Sequence, residues 1–284
     1  MALLLALLPS PGGAVPTAGR PEVSLNHLSV VLDAATVRDL AANAYLKDTF
    51  ATVFQKANVS NDGKRWNGTY LYGERTYLEV YEAGPAQGEP GSSGIALAVE
   101  HSGEVARLVL PLADAGAEAT VVVRTAQGPS GAQVPWFYQL RAFYRTDPPS
   151  NTSRWVMEYQ KDFLRSVEPG KDGISRAQLA ARFWQKGRLV KDIVGATVAL
   201  SEREMERFLK ELDVYGWTVR AQGPKRVASG GGMTLTLIPL APGSKGLTEV
   251  RFQLGQKGVP AQTLHLGPTS VLTVATDGTA AWTL

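Results

Sequence analysis

Three histidines and no cysteine bound the chemistry open to this chain. Without thiols there is no thiolate nucleophile, disulfide or zinc knuckle, so a metal would have to rest on His, Asp or Glu. One set stands out: His27 in SLNHLSVVLD, Glu79 in RTYLEVYEAG and Glu158 in SRWVMEYQ. Period-two alternation groups His27 with Ser29, Glu79 with Tyr77 and Tyr81, and Glu158 with Val156 and Gln160. Each group lies on the strand face opposite the apolar one, so all three side chains could point into one cavity. One imidazole and two carboxylates with open positions suit zinc, iron, manganese or nickel. Such an ion polarises a water or substrate oxygen as a Lewis acid, with Glu79 and Glu158 in catalytic roles. A plainer arrangement fits the same residues. A lone histidine on a strand is more often hydrogen-bonded structure than a ligand, and inward carboxylates could pair with Arg75, Arg141 or Arg154.

The aromatics Tyr70, Tyr72, Tyr77, Tyr81, Trp136 and Tyr138, with Trp155, could line an apolar pocket with polar tips for a small molecule. Cross-strand packing explains them equally well, and if the tyrosines fill the cavity a structural or interaction module results. His101 follows a strand in EHSGEV and reads as a loop or helix-cap residue, and His265 belongs to no constellation. No GxSxG elbow is present, so a serine hydrolase is excluded. The glycines of SGGGMT precede a strand, where no helix terminus gathers amides for a phosphate, and read as a hairpin loop.

The elements that must position these residues repeat. SLNHLSVVLD is a strand with Leu28, Val30 and Leu32 on its apolar face. Ala34 to about Lys56, free of Gly and Pro, reads as one amphipathic helix. GTYLYG and RTYLEVYEAG form a hairpin, and GIALAVE adds a strand after a Gly/Pro-rich loop. A related order follows: a helix over Gly103 to Ala115, then EATVVVRT, VPWFYQLRAFYR and SRWVMEYQ. A basic helical connector spans roughly Ser175 to Lys186. The order returns in DIVGATVALS, the helix SEREMERFLKELDVYG with Ser201 and Glu204 set for a capping box, and the strands WTVRAQG, GGMTLTLIPL and LTEVRFQL. Repetition of one supersecondary unit is stronger evidence for a fold than any single element. TLHLG, SVLTVAT and AAWTL read as short terminal strands without a helix, so a complete fourth module is not expected. Residues 1–20 would then be a leader or tail, 21–165 a pair of βαβββ modules, 166–190 the connector, and 191–284 a third module with terminal strands.

The balance of 29 basic and 26 acidic residues, 44% hydrophobic in 284, is that of a globular protein. The charges are well mixed, which disfavours nucleic acid as a partner. No stretch reaches the roughly 18 apolar residues of a transmembrane segment. The opening MALLLALLPSPGGAVPTAGR has the apolar run and small-residue zone of a signal peptide, though without a basic start. Export to the periplasm or medium is expected if it is one, and a cytoplasmic location otherwise.

Paired βαβββ modules with LNHLSVVLD opening the first, TYLEV inside it and RWVMEY late in the second resemble the vicinal oxygen chelate superfamily. That group includes glyoxalase, bleomycin- and fosfomycin-resistance proteins and extradiol dioxygenases, and the likeness is nearest to an uncharacterised bacterial glyoxalase-like group. It covers Ser24 to Tyr159 well and Lys191 to Leu254 as a pattern. The resemblance implies an α+β fold of repeated βαβββ modules forming open, curved, mostly antiparallel barrel-like sheets with helices outside. It implies a small-molecule ligand in the cavity of the first two modules, and it leaves room for a homodimer. A divalent metal would sit on His27, Glu79 and Glu158, serving lyase, isomerase or oxygenase chemistry. The fourth ligand position falls on Gly94, which has no side chain, and this departure favours the alternative of a non-catalytic protein that sequesters its ligand. In the third module Gly195 falls where His27 is and Thr236 where Glu79 is, so that module keeps the architecture without the ligands.

Overall fold

The computed structural model describes residues 19–59, 65–128, 131–144, 150–161, 163, 176–242 and 246–284. The leader expectation, apart from Gly19 and Arg20, and the first part of the connector lie outside these residues.

The chain runs β1 (Ser24–Leu32), α1 (Ala34–Ala42), a single π turn (Leu46–Phe50), β2 (Thr52–Val59), β3 (Arg65–Tyr72) and β4 (Tyr77–Glu82). A second unit repeats that order as β5 (Ser93–Ala98), α2 (Glu104–Asp114), β6 (Glu118–Gln127), β7 (Gln133–Phe143) and β8 (Thr152–Tyr159). The connector contributes α3 (Arg176–Ala181). The second half holds β9 (Val190–Leu200), α4 (Glu202–Val214), β10 (Thr218–Gln222), β11 (Lys225–Gly230) and β12 (Met233–Pro239). It closes with β13 (Gly246–Leu254), β14 (Gln262–Leu266), β15 (Ser270–Val274) and β16 (Thr279–Thr283).

These strands make two eight-stranded sheets, ordered β2-β3-β4-β1-β5-β8-β7-β6 and β10-β11-β12-β9-β13-β16-β15-β14. In each, the first strands of two modules pair antiparallel at the centre, β1 with β5 and β9 with β13. Each first strand also pairs parallel with the last strand of its own module, as β1 does with β4 and β9 with β12. The fold is therefore the α+β arrangement of βαβββ modules in open sheets. Alternation decides which face the helices cover: Leu28, Val30, Leu78 and Val80 of the first sheet join Val198, Leu235, Val250 and Trp282 of the second in one apolar core.

Local signals place the helices. The Asp33 carboxylate accepts from the amides of Ala35 and Thr36 at 3.0 Å each and starts α1. Ser201 and Glu204 form the expected capping box on α4.

Three expectations are corrected. The helix over residues 34–56 ends at Ala42; a π turn (Leu46–Phe50) follows, and the last part is β2, an edge strand paired with β3 from Thr52↔Tyr72 onward. With no Gly or Pro to mark the border, tertiary pairing sets it. Residues Lys225–Gly230, assigned to no element, are β11. The run LTEVRFQL, read as the last strand of the third module, is β13, which pairs with β16 and opens a further set of strands that, as expected, has no helix among the described residues. Helix α1 of the first module packs beside that gap, where the Gly267 amide donates to Asp39 at 2.8 Å.

The two sheets are fastened by a buried carboxylate. Asp192 on β9 accepts from the backbone amides of Arg75 and Thr76, the Thr76 hydroxyl and the Arg75 Nε, at 2.8–3.1 Å, which fixes the β3–β4 hairpin against β9.

Candidate functional site

The face of the first sheet turned away from α1 and α2 carries most of the residues that the sequence singles out. His27 pairs with Tyr77 on one side and Ala96 on the other, and Ala96 pairs with Trp155, so these four form one row across the sheet. The next row holds Tyr70, Glu79, Ser29 and Gly94. His27 and Glu79 are brought together as expected: Nε2 lies 3.9 Å from Glu79 Oε2, with the imidazole 7% and the carboxylate 16% exposed.

The surroundings are those of a core. His27 stacks on Tyr77 at 4.6 Å, Tyr77 on Tyr72 at 4.9 Å, and Tyr72 on Phe183 at 4.7 Å, while Trp155 meets the imidazole edge-on at 5.5 Å. Phe183 comes from the connector just beyond α3, and Leu179 of α3 packs against the buried cluster that includes Ala96, Met157 and Tyr159. Arg176 holds the connector down, through an ion pair with Glu100 at 2.7 Å and a hydrogen bond to the Leu25 carbonyl. The basic connector is thus a cover for the sheet as well as a solvated segment.

Apart from the buried Trp155 and Trp136 indole N–H groups, which have no partner among the described residues, the polar groups around His27 satisfy one another. Asn26 Nδ2 donates to the Tyr159 hydroxyl at 3.1 Å, which turns its Oδ1 toward His27 Nδ1 at 2.8 Å. His27 therefore carries its proton on Nδ1 and leaves Nε2 as an acceptor facing Glu79. Burial pulls the imidazole down to about 3, so it is neutral at physiological pH. Burial also pushes the Glu79 carboxyl up to about 7, against the opposing hydrogen bond from Tyr81, whose hydroxyl donates to Oε2 at 2.5 Å. The contact between His27 and Glu79 joins a neutral ring to a half-ionised carboxyl and is no ordinary salt bridge.

Glu158 is not part of this group. Val156, its neighbour two positions back, belongs to the helix-side core, whereas Trp155, Met157 and Tyr159 face the connector. Both Glu158 oxygens accept from the start of α2, from the Gly103 and Val105 amides at 2.8 Å each. Gly103 has no side chain with which to cap α2, and a carboxylate from β8 supplies the cap in its place. The expected orientation is reversed because both faces of β8 are buried, and alternation then cannot say which one meets the helices.

The arginines do not pair with these carboxylates either. Arg75 binds Asp192, Arg154 makes a two-pronged bond to Glu211 of α4, and Arg141 lies 4.9 Å over the Phe143 ring. Of the aromatics, Tyr70, Tyr72, Tyr77 and Tyr81 share the connector side, Trp136 packs against Phe137 and Phe163, and Tyr138 joins the helix-side core. His101 and His265 are exposed.

This donor set does not fit a metal on His27, Glu79 and Glu158. Among the described residues no group of three His, Cys, Asp or Glu side chains could hold an ion. Glu158 is spent on a helix terminus, and His27 Nδ1 and Glu79 Oε2 are already hydrogen-bonded. At Gly94 a side chain would meet the Ser29 hydroxyl at 2.4 Å and the Trp155 ring at 3.0 Å, so a ligand there has no room.

The second sheet presents the same register with other contents, which sequence reasoning passed over. Gly195 stands where His27 is, pairing with Thr234 and Arg251, and Arg251 pairs with Ala281. Thr236, Thr197 and Glu249 form the next row. A Cβ on Gly195 would lie 2.6 Å from Arg251 Nε, so the glycine lets the guanidinium lie flat across the sheet. Arg251, in the strand run LTEVRFQL, alternates with Val250 and Phe252 of the core, and that spacing was the available signal.

Residues 25–284 match the profile of a family described as "Family of unknown function (DUF5829)". No curated protein matches the sequence. The crystal structure of a hypothetical protein from Staphylococcus aureus is similar, with a TM-score of 0.55 at 9% identity over 86% of this chain and 95% of that one. The Mn(II)-bound glyoxalase from Novosphingobium aromaticivorans gives 0.48 at 12% identity, covering 92% and 81%. The 2,2',3-trihydroxybiphenyl 1,2-dioxygenase from Sphingomonas wittichii strain RW1 gives 0.45 at 13%, covering 90% and 88%. Likeness at this identity shows fold alone and says nothing about activity. No helix among the described residues is long and apolar enough to cross a membrane.

Proposed function

Given that the chain belongs to the family of unknown function DUF5829 over residues 25–284, we propose from its own residues that it is a non-catalytic small-molecule-binding protein on a glyoxalase-like scaffold. The observation that carries this reading is the opposite filling of one register in the two sheets. In the first sheet the position expected to hold a metal and substrate is occupied by the stack Phe183, Tyr72, Tyr77, His27 and Trp155. In the second, small side chains, Thr234, Gly195 and Ala281, leave the corresponding row open around the Arg251 guanidinium. Metal-assisted chemistry needs an ion with an open coordination position beside substrate, and the first sheet supplies two engaged donors under a cover.

Metal content by inductively coupled plasma mass spectrometry, on full-length protein purified without chelator or His-tag, tests the reading. We expect substoichiometric zinc, iron, manganese and nickel, unchanged by His27→Ala or Glu79→Gln. Stoichiometric metal that both variants lose would sink the reading and restore a metalloenzyme.

A further inference from the structure

We propose that the face of the second sheet turned away from the helices binds a small oxyanion, a carboxylate or phosphate, with Arg251 as its anchor. The inference rests on the reading of a non-catalytic binding protein and names the site and the ligand chemistry.

The first observation is geometric. Across the sheet the row through Arg251 reads Thr218, Ser229, Thr234, Gly195, Arg251, Ala281, Thr273 and Thr263, one residue from each strand. Apart from the guanidinium every member is Gly, Ala, Ser or Thr, so no large side chain of its own row crowds it. The equivalent row of the first sheet spends the same space on Tyr72, Tyr77, His27 and Trp155. Gly195 lets Arg251 lie down, and a Cβ there would fall 2.6–3.0 Å from three guanidinium atoms. The fork is held flat between strands and is not a waving surface side chain.

The second observation concerns unspent donors. Arg251 carries five N–H donors. In the structure Nη2 reaches the Thr234 carbonyl at 3.5 Å, the long limit of a hydrogen bond, and Nη1 lies 3.8 Å from Glu249 Oε1. Glu249 is itself held by the Thr197 hydroxyl at 3.3 Å, and both charged side chains are about one-third exposed, 38% and 32%. A planar carboxylate or a phosphate face can accept two parallel N–H bonds from such a fork, with Thr197, Thr234 and Thr236 hydroxyls beside it.

The third is charge. By register the face carries Arg220, Lys225 and Arg251 against Glu249, an excess of positive charge that attracts an anion. Arg251 lies next to β9, whereas Arg220 lies on the edge strand β10, so the pair at the sheet centre sets the position and the edge cations steer approach.

The experiment is a titration of uniformly 15N-labelled full-length protein with sodium succinate and, separately, with inorganic phosphate, following the Arg Nε–Hε resonances at constant ionic strength. The Arg251 signal is assigned by its loss in Arg251→Lys. We expect a saturable shift of that signal with at least one of the two anions, and phosphate alone would assign the site to phosphoryl groups. Amide shifts at Thr197, Thr234 and Thr236 should report tenfold or weaker binding in Arg251→Ala. They should report several-fold tighter binding in Glu249→Gln, which removes the internal competitor. This gain and Gly195→Ala, expected to weaken binding by crowding the fork, guard against mistaking a folding defect for lost binding. No saturable shift in the wild type and in Glu249→Gln overturns the proposal. A shift that follows protein concentration instead of the anion overturns it as well and assigns the face to a second copy of the chain. Metal at His27 would refute the preceding reading and leave this titration unaffected, so the two failures are distinguishable.

Discussion

In the first sheet the row Tyr77, His27, Ala96, Trp155 is a run of large rings around one small residue, and the connector closes over it. In the second sheet the matching row Thr234, Gly195, Arg251, Ala281 places one long side chain among small ones and stays half open. Strand order, central antiparallel pair and module register are the same in both. The backbone lattice is therefore indifferent to what fills its outer face. Two helix starts differ in the same spirit. Helix α4 brings its own cap in Ser201, and α2 borrows Glu158 from a strand. What α2 solves by tertiary contact, α4 solves locally.

The sharpest way to break the comparison is to truncate one member of each row. Tyr77→Ala removes the centre of a ring stack from a position 9% exposed, and we expect it to lose about 3 kcal/mol of unfolding free energy in urea. Its register mate Thr234→Ala should change stability by less than about 0.5 kcal/mol. Equal losses would show that the first face is no more a core than the second.

The caps give a smaller effect. Glu158→Gln keeps the shape and removes the charge that faces two α2 amides, with an expected loss of about 1–2 kcal/mol. Hydrogen exchange at the Gly103 and Val105 amides should quicken more than elsewhere in α2. Ser201→Ala should weaken α4 by about 1 kcal/mol, with its exchange effect confined to the first turn. Unchanged protection at Gly103 and Val105 in Glu158→Gln would deny the borrowed cap.

The weakest effect is the pH response of the first sheet. The folded state lowers His27 from 6.5 to about 3, so between those values the unfolded chain binds the extra proton and stability rises with pH. It raises Glu79 from 4.5 to about 7, so between those values the folded state binds the extra proton and stability falls as pH rises. The two slopes oppose between 4.5 and 6.5 and give a plateau there. Below it His27 alone destabilises, and from there to about 7 Glu79 does. Melting curves from pH 3 to 8 should show this plateau. In Glu79→Gln the plateau should give way to a rise that continues to pH 6.5 and then levels off with no fall toward 7, and an unchanged profile would remove Glu79 from the account.

Much of the fold could be read from residue order. The helices α2 and α4, the capping box, the strand faces of Leu28, Val30, Leu78 and Val80, and the repetition of modules all rest on local periodicity. Periodicity also placed His27 and Glu79 on one face, and their 3.9 Å approach follows from parallel pairing of β1 with β4. It could not place β2, because no residue marks where α1 stops, nor orient β8, because both of its faces are covered. It could not see Arg251, whose meaning depends on Gly195 some fifty residues earlier.

Sequence by itself thus determined the α+β modules, the absence of thiol chemistry and the residues eligible for each face, since these depend on side-chain type and on neighbours within a few positions. Tertiary structure alone decided that Glu158 serves a helix, that Phe183 closes the ring stack, and that the second face stays open around Arg251. Each of these is set by strands and segments brought together across tens to hundreds of residues, and pairing at that distance leaves no periodic trace in the chain.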